Sequence, residues 1–204
     1  MPNWCSNSLS ICGPELEVRA IADKLKTKNK DGETVGKLTD FMPQPTDAAG
    51  ELIDGSSWQY DNWGTKWGDC DTELSDEDYT TSELSTVSMF FMTPWGPADG
   101  LLTEISRLFP NVSLDNEYEE AGMAFFGIAR YKAGEELFNE NHDYDTGSGV
   151  LELPDGWTAN FDTDHDDPES DPYGTLELAI HSAQEHLWTT ASLTAPTDSP
   201  TLKS

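Results

Sequence analysis

Residues 97–129 read PADGLLTEISRLFPNVSLDNEYEEAGMAFFGIA, and the hydrophobic period changes twice within them. From Pro97 to Phe109 the apolar residues Leu101, Leu102, Ile105, Leu108 and Phe109 recur at the spacing of one helix face, and Pro110 stops the pattern. Val112 to Tyr118 then alternates, and Met123 to Ala129 is nearly continuous in apolar and small residues. With the turn residues Ala121-Gly122 between them, these two runs predict a β-hairpin. A helix followed by paired strands places a helix over an antiparallel sheet.

The same grammar opens the chain. Leu9 and Ile11 alternate with small polar residues from Asn7 to Cys12, and Gly13-Pro14 ends that strand. Pro14 suits the start of a helix, with Glu15 and Glu17 at its positive end and Lys24, Lys26 and Lys28 at the other. Val18, Ile21, Ala22 and Leu25 form its apolar face. Thr86 to Met92, the most apolar run and bounded by Pro94, predicts a buried strand. The order strand, helix, strands, helix, strand pair predicts an α+β sandwich with two helices on one face of an antiparallel sheet.

Between these elements the signals are weaker. Asp31-Gly32 marks a turn, Val35 to Met42 reads as a short extended segment, and Thr46 to Ser57 as loop. Asp69 to Glu83 is acidic and reads as structureless. The predicted organisation is a domain over residues 1–131 with an aromatic and acidic insertion at about 43–84. Residues 132–188 form an acidic C-terminal extension, in which Val150 to Leu153 and Trp157 to Phe161 flank the turn Pro154-Asp155-Gly156, and Leu176 to Leu187 reads as a short helix. Residues 189–204, rich in Ser, Thr and Pro, are expected to be disordered.

The formal net charge is −28, and all of it arises after Asp40, where 33 acids face five bases. Such a surface repels phosphates, so direct nucleic acid binding is not expected and a protein partner with a basic surface is. Solubility or adaptation to salt is the plain alternative use of the same charge. No stretch is long and apolar enough to span a membrane, and the first ten residues lack a signal-peptide layout, so a cytoplasmic location is expected.

Cys5, Cys12 and Cys70 form no C-x-x-C pair and read as free thiols, without a disulfide framework or cysteine metal site. His142, His165, His181 and His186 show no metal-pair spacing. No nucleophile elbow or phosphate loop is present, so no catalytic residue and no cofactor is assigned. The acidic run Asp162, Asp164, Asp166, Asp167, Glu169 and Asp171 has the carboxylates of a calcium loop. An EF-hand beginning at Asp162 needs Gly at position 167 and Glu at position 173, where this chain has Asp167 and Tyr173, so the run reads as a solvated acidic surface without a metal.

The aromatic block Trp58, Tyr60, Trp63 and Trp67, interleaved with Asn62 and Lys66 and joined by Trp95, is the candidate binding site. Aromatic faces beside a lysine and an amide can stack and hydrogen-bond a base or a peptide. The same residues can instead anchor a loop to the core, with Gly64 permitting close packing. Three function classes follow: protein binding through the acidic surface, small-ligand or nucleotide binding at the aromatic block, and an enzyme of unrecognised type.

Four ordered blocks carry a family signal: Met1-Pro2-Asn3-Trp4-Cys5-Ser6-Asn7, Asn62-Trp63-Gly64-Thr65-Lys66-Trp67, Thr93-Pro94-Trp95, and Glu120 to Gly127. Together they resemble the YubB-like family of phage- and plasmid-encoded proteins of unknown function. The resemblance covers about the first two thirds of the chain. It implies a ferredoxin-like domain, in topology only since iron-sulfur cysteine spacing is missing, and a mobile-element origin, which together with the acidic excess makes a phage or plasmid accessory protein the expected role.

Overall fold

The computed structural model describes residues 2–34, 36–53, 55–74, 79–80, 84–165, 167 and 170–194. In chain order the elements are β1 (Trp4–Gly13), α1 (Glu15–Leu25), a 3-10 turn (Leu38–Phe41), α2 (Gly55–Trp63), β2 (Cys70–Leu74), β3 (Tyr79–Thr80), β4 (Ser85–Pro94), α3 (Asp99–Leu108), β5 (Ser113–Glu120), β6 (Phe125–Lys132), β7 (Glu135–Asp143), β8 (Val150–Glu152), β9 (Thr158–Asn160) and α4 (Pro172–Thr194). Two compact units divide them, residues 1–143 and 144–204.

In the first unit the strand order is β2-β4-β1-β5-β6-β7, with β3 also paired to β4 and every pairing antiparallel. Both β2 and β1 run antiparallel to β4, so they are parallel to each other and α1 joins them across it. Likewise α3 joins the parallel strands β4 and β5 across β1. Two interleaved split βαβ units of this kind make the sandwich ferredoxin-like. The strands β6 and β7 widen the sheet beyond β5.

Strand alternation turns Cys5, Leu9 and Ile11 of β1, Val87, Met89 and Phe91 of β4, and Leu114 and Tyr118 of β5 to one face. Val18, Ile21 and Leu25 of α1 and Leu101, Leu102 and Ile105 of α3 join them in a single core, so both helices cover that face. Leu108, expected on the buried side of α3, is 43% exposed, because the helix ends there and Phe109 packs instead.

Local chemistry moves several expected boundaries. Within the segment expected to be extended, Val35 to Met42, residues Leu38–Phe41 form a 3-10 turn, because the Asp69 carboxylate accepts the backbone N–H groups of Leu38 (3.0 Å) and Thr39 (3.1 Å); Val35 lies outside the described residues. The stretch read as structureless, Asp69 to Glu83, holds β2 and β3 paired with β4; its residues 75–78 and 81–83 lie outside the described residues. The loop read up to Ser57 gives way to α2 at Gly55.

The sheet runs past Tyr131 through β7, and the first compact unit closes at Asp143. Ala133 (φ 55°) and Gly134 (φ 84°) make the two-residue turn with positive φ that lets β7 fold back on β6. In the second unit β8 and β9 pair around Pro154-Asp155-Gly156, and α4 packs on β9. This helix is longer than Leu176 to Leu187. Asp171 caps it by accepting the Gly174 N–H (3.0 Å), and it continues to Thr194, so helix stands where disorder was expected from Thr189 to Thr194, with the Thr189 and Ser192 hydroxyls turned back onto the Glu185 and Trp188 carbonyls. The rest of that tail, 195–204, lies outside the described residues. Among the described residues no helix is long and apolar enough to cross a membrane.

Candidate functional site

The aromatic block separates into two environments. Trp63, near the end of α2, is buried, its indole Nε1 donating to the Met42 carbonyl (2.8 Å) while Trp58 meets it edge to face at 5.4 Å. Trp63 belongs to the core and Trp58, partly buried, packs against it. Asn62 turns inward on its own helix, donating to the Trp58 carbonyl (2.8 Å), and Tyr60 is 47% exposed. Trp67, by contrast, is 46% exposed and meets Trp95 with ring centroids 5.9 Å apart. The Lys66 ammonium lies 4.9 Å from the Trp67 ring centre.

The pair is held by unusual backbone. Trp67 (φ 67°) and Trp95 (φ 64°) both occupy the left-handed region, which is costly for bulky residues and persists only where surrounding contacts impose it. Those contacts are visible. Gln59 Oε1 accepts the Trp67 N–H (3.1 Å), the Asn3 carbonyl accepts the Trp95 N–H (2.9 Å), and the Thr65 hydroxyl donates to the Pro94 carbonyl (2.7 Å). Beneath them α2 and α3 approach so closely that a Cβ on Gly100 would stand 2.3 Å from the Asn62 carbonyl oxygen.

The four sequence blocks named above converge at this end of the sheet. Asn3 meets Trp95, Thr65 meets Pro94, Cys5 pairs with both Thr93 and Glu120, and Gly122 abuts the Asn3 side chain. Glu120, buried to 1% exposure, accepts the N–H groups of Gly122 (2.9 Å) and Met123 (2.7 Å) and shapes the turn there.

A model of the ferredoxin-like domain in Api92-like protein matches residues 62–163, half of the chain. The chain belongs to this family. A solved structure, that of a protein api92 from Yersinia pseudotuberculosis, superposes with a TM-score of 0.51 over 71% of this chain and 99% of that one, at 9% identity. At that identity it shares the fold. No curated protein sequence matches the chain.

In this Api92-like domain a second polar group gathers between α3 and the β6–β7 edge. The Tyr131 hydroxyl donates to Asp99 at the start of α3, and the Tyr118 hydroxyl donates to Asn139 (2.7 Å) while accepting from Asn141 (3.3 Å). Burial raises the Asp99 carboxyl above its ordinary value, against the hydrogen bond from Tyr131, and burial likewise raises both tyrosines. Burial also pushes the Cys5 thiol up, keeping it un-ionised and a poor nucleophile. Sequence reading missed these residues because up to 32 positions separate the partners and none stands in a motif.

The acidic run is locally occupied. Asp162 accepts the Ser170 hydroxyl (2.5 Å) and the Asp164 N–H (2.9 Å), the first of which holds its carboxyl below the ordinary value. Asp164 accepts the Asp167 N–H (3.2 Å), and Asp171 caps α4. Asp166 and Glu169 lie outside the described residues, and among those described no three ligating side chains gather around a common point.

Proposed function

We propose that this chain is a binding protein whose anchor is the pair formed by exposed Trp67 and half-buried Trp95 and whose acidity selects a protein partner with a basic surface. One observation carries the reading: two bulky indoles are both held on left-handed backbone, in mutual contact, and partly open to solvent. Strain of this kind costs stability and persists where a fixed geometry is used. Tryptophan dominates the energetic centres of protein interfaces because it buries a large rigid area at low entropic cost.

The charge supports the class of partner. With 33 acids against five bases after Asp40, long-range attraction favours basic, nucleic acid-binding proteins and disfavours nucleic acid itself. The acidic run including Asp162, Asp164 and Asp167 is part of that field. The resemblance to phage- and plasmid-encoded proteins supports a role in the host cytoplasm, where an array of carboxylates would compete with DNA for a defence protein. Nucleotide binding is the second reading, and the ring geometry favours it less. A centroid separation of 5.9 Å is the rings' own contact distance, so no base fits between them.

The test is affinity capture from host lysate at low and high salt with the parent, with Trp67→Gly plus Trp95→Gly, and with Asp162, Asp164 and Asp167 changed to Asn. A basic protein retained by the parent, lost with the tryptophan variant and bound more slowly by the asparagine variant is the expected result. Capture indifferent to the tryptophans would overturn the anchor, and capture indifferent to salt would overturn the electrostatic selection.

A further inference from the structure

We propose that the outer face of Trp67 takes a cationic side chain of the partner, arginine in the first place, and that Lys66 occupies that position as an internal stand-in. The inference rests on the binding reading above and names the group that the anchor receives. Its starting point is a cation already present on the ring, since the Lys66 Nζ stands 4.9 Å from the Trp67 ring centre. A cation within about 6 Å of an indole face is attracted by the ring quadrupole, more so for tryptophan than for other aromatics.

Two other cation-ring contacts occur among the described residues, and they are built differently. Lys24 over Phe41 also donates to the Asp40 carbonyl (2.7 Å), and Arg130 over Phe138 is clasped by both carboxylate oxygens of Asp115 (2.7 and 2.6 Å). Those cations are fixed. The Lys66 ammonium makes no hydrogen bond and no ion pair among the described residues, so moving it aside breaks no polar contact.

The residue beneath it is 46% exposed, its ring is in contact with Trp95, and it is pinned through the backbone N–H to Gln59. It is therefore a prepared surface whose present occupant is loosely held. Charge complementarity selects the replacement, because a chain of net charge −28 concentrates cations near itself. Guanidinium is preferred to ammonium since it is planar, less strongly hydrated and stacks on an aromatic face.

The proposal separates from simple charge attraction by experiment. A short Gly-Arg repeat peptide and the same peptide with citrulline in place of arginine are titrated into the full chain, following the indole N–H signals of Trp67 and Trp95 by NMR. Three variants accompany the parent: Lys66→Met, Trp67→Gly, and Trp67→Phe as a milder change. The arginine peptide should shift the Trp67 signal, and citrulline should weaken that site by about fivefold or more. Trp67→Gly should abolish the shift at Trp95, Trp67→Phe should weaken it, and Lys66→Met should tighten binding by about threefold, because the competing ammonium is gone.

Equal binding of the two peptides, or Lys66→Met weakening the interaction, would overturn the proposal. So would adenosine monophosphate shifting the same signals with a dependence on Lys66, since the lysine would then be an anion receptor. Failure here, with partner capture still lost in the tryptophan variant, would leave the anchor standing and reject only its cationic occupant.

Discussion

Substituting Gly100 by Ala tests whether the crossing of α2 and α3 is as tight as the anchor requires. The added Cβ would lie 2.3 Å from the Asn62 carbonyl oxygen, 3.0 Å from its carbonyl carbon and 3.2 Å from that of Trp63. Separations below 3.0 Å do not persist, so the helices must part by roughly 0.7 Å. Both sides of the contact are backbone, which places the cost in the upper part of the overpacking range, ~2–3 kcal/mol. Alanine returns up to ~1 kcal/mol as the better helix former. The net loss is then ~1–2 kcal/mol, or a fall in thermal midpoint of about 2–8 °C for a chain of this size. Urea and thermal unfolding followed by tryptophan fluorescence and circular dichroism measure it. Gly96→Ala is the control, since a Cβ added there meets no atom within 4 Å beyond its chain neighbours and its cost should be near zero. The reasoning fails if Gly100→Ala is more stable than the parent by about the propensity gain, because the helices would then not be in contact there.

Two further perturbations address the core and the polar network. Ile105→Ala, at a side chain 1% exposed between α3 and the sheet, should cost ~2–5 kcal/mol in denaturant unfolding, and a value near zero would place that face of α3 outward. Asp99→Asn should change how stability depends on pH. Because the folded state raises this carboxyl above its ordinary 3.8, chiefly through burial, the folded chain holds the proton more tightly than the unfolded one. The contribution of Asp99 to stability is therefore greatest below the unfolded value and declines as pH rises through the folded one. The substituted amide does not titrate, so the variant should gain on the parent across that interval and keep a constant advantage above it. A stability difference between variant and parent that stays flat from about pH 3 to pH 8 would falsify the assignment.

Much of the fold was legible because it rests on local periodicity. Val18, Ile21 and Leu25 sit at helical spacing, Leu9 and Ile11 alternate, and both patterns point to the face where they are found buried. The β2 and β7 strands were not legible. Their side chains are mostly half-exposed or exposed, and a ladder hydrogen bond is made by backbone, which leaves little trace in polar sequences such as Glu135 to Asp143. The turn Ala133-Gly134 also lacks the asparagine or aspartate that usually announces a positive-φ hairpin.

The candidate site divides along the same line. From sequence alone, the alternations and helical faces determine an α+β sandwich, the charge after Asp40 determines an acidic surface, and the Trp58 to Trp67 block stands out as aromatic. Only the tertiary structure decides what each tryptophan does. Trp63 is drawn inward because the Met42 carbonyl is there to take its N–H, while Trp67 is held outward because Gln59 takes its backbone N–H and Trp95, itself tied to Asn3, meets its ring. Burial is a property of the neighbours a residue meets, and those neighbours are chosen by sheet order and helix crossing rather than by adjacent sequence.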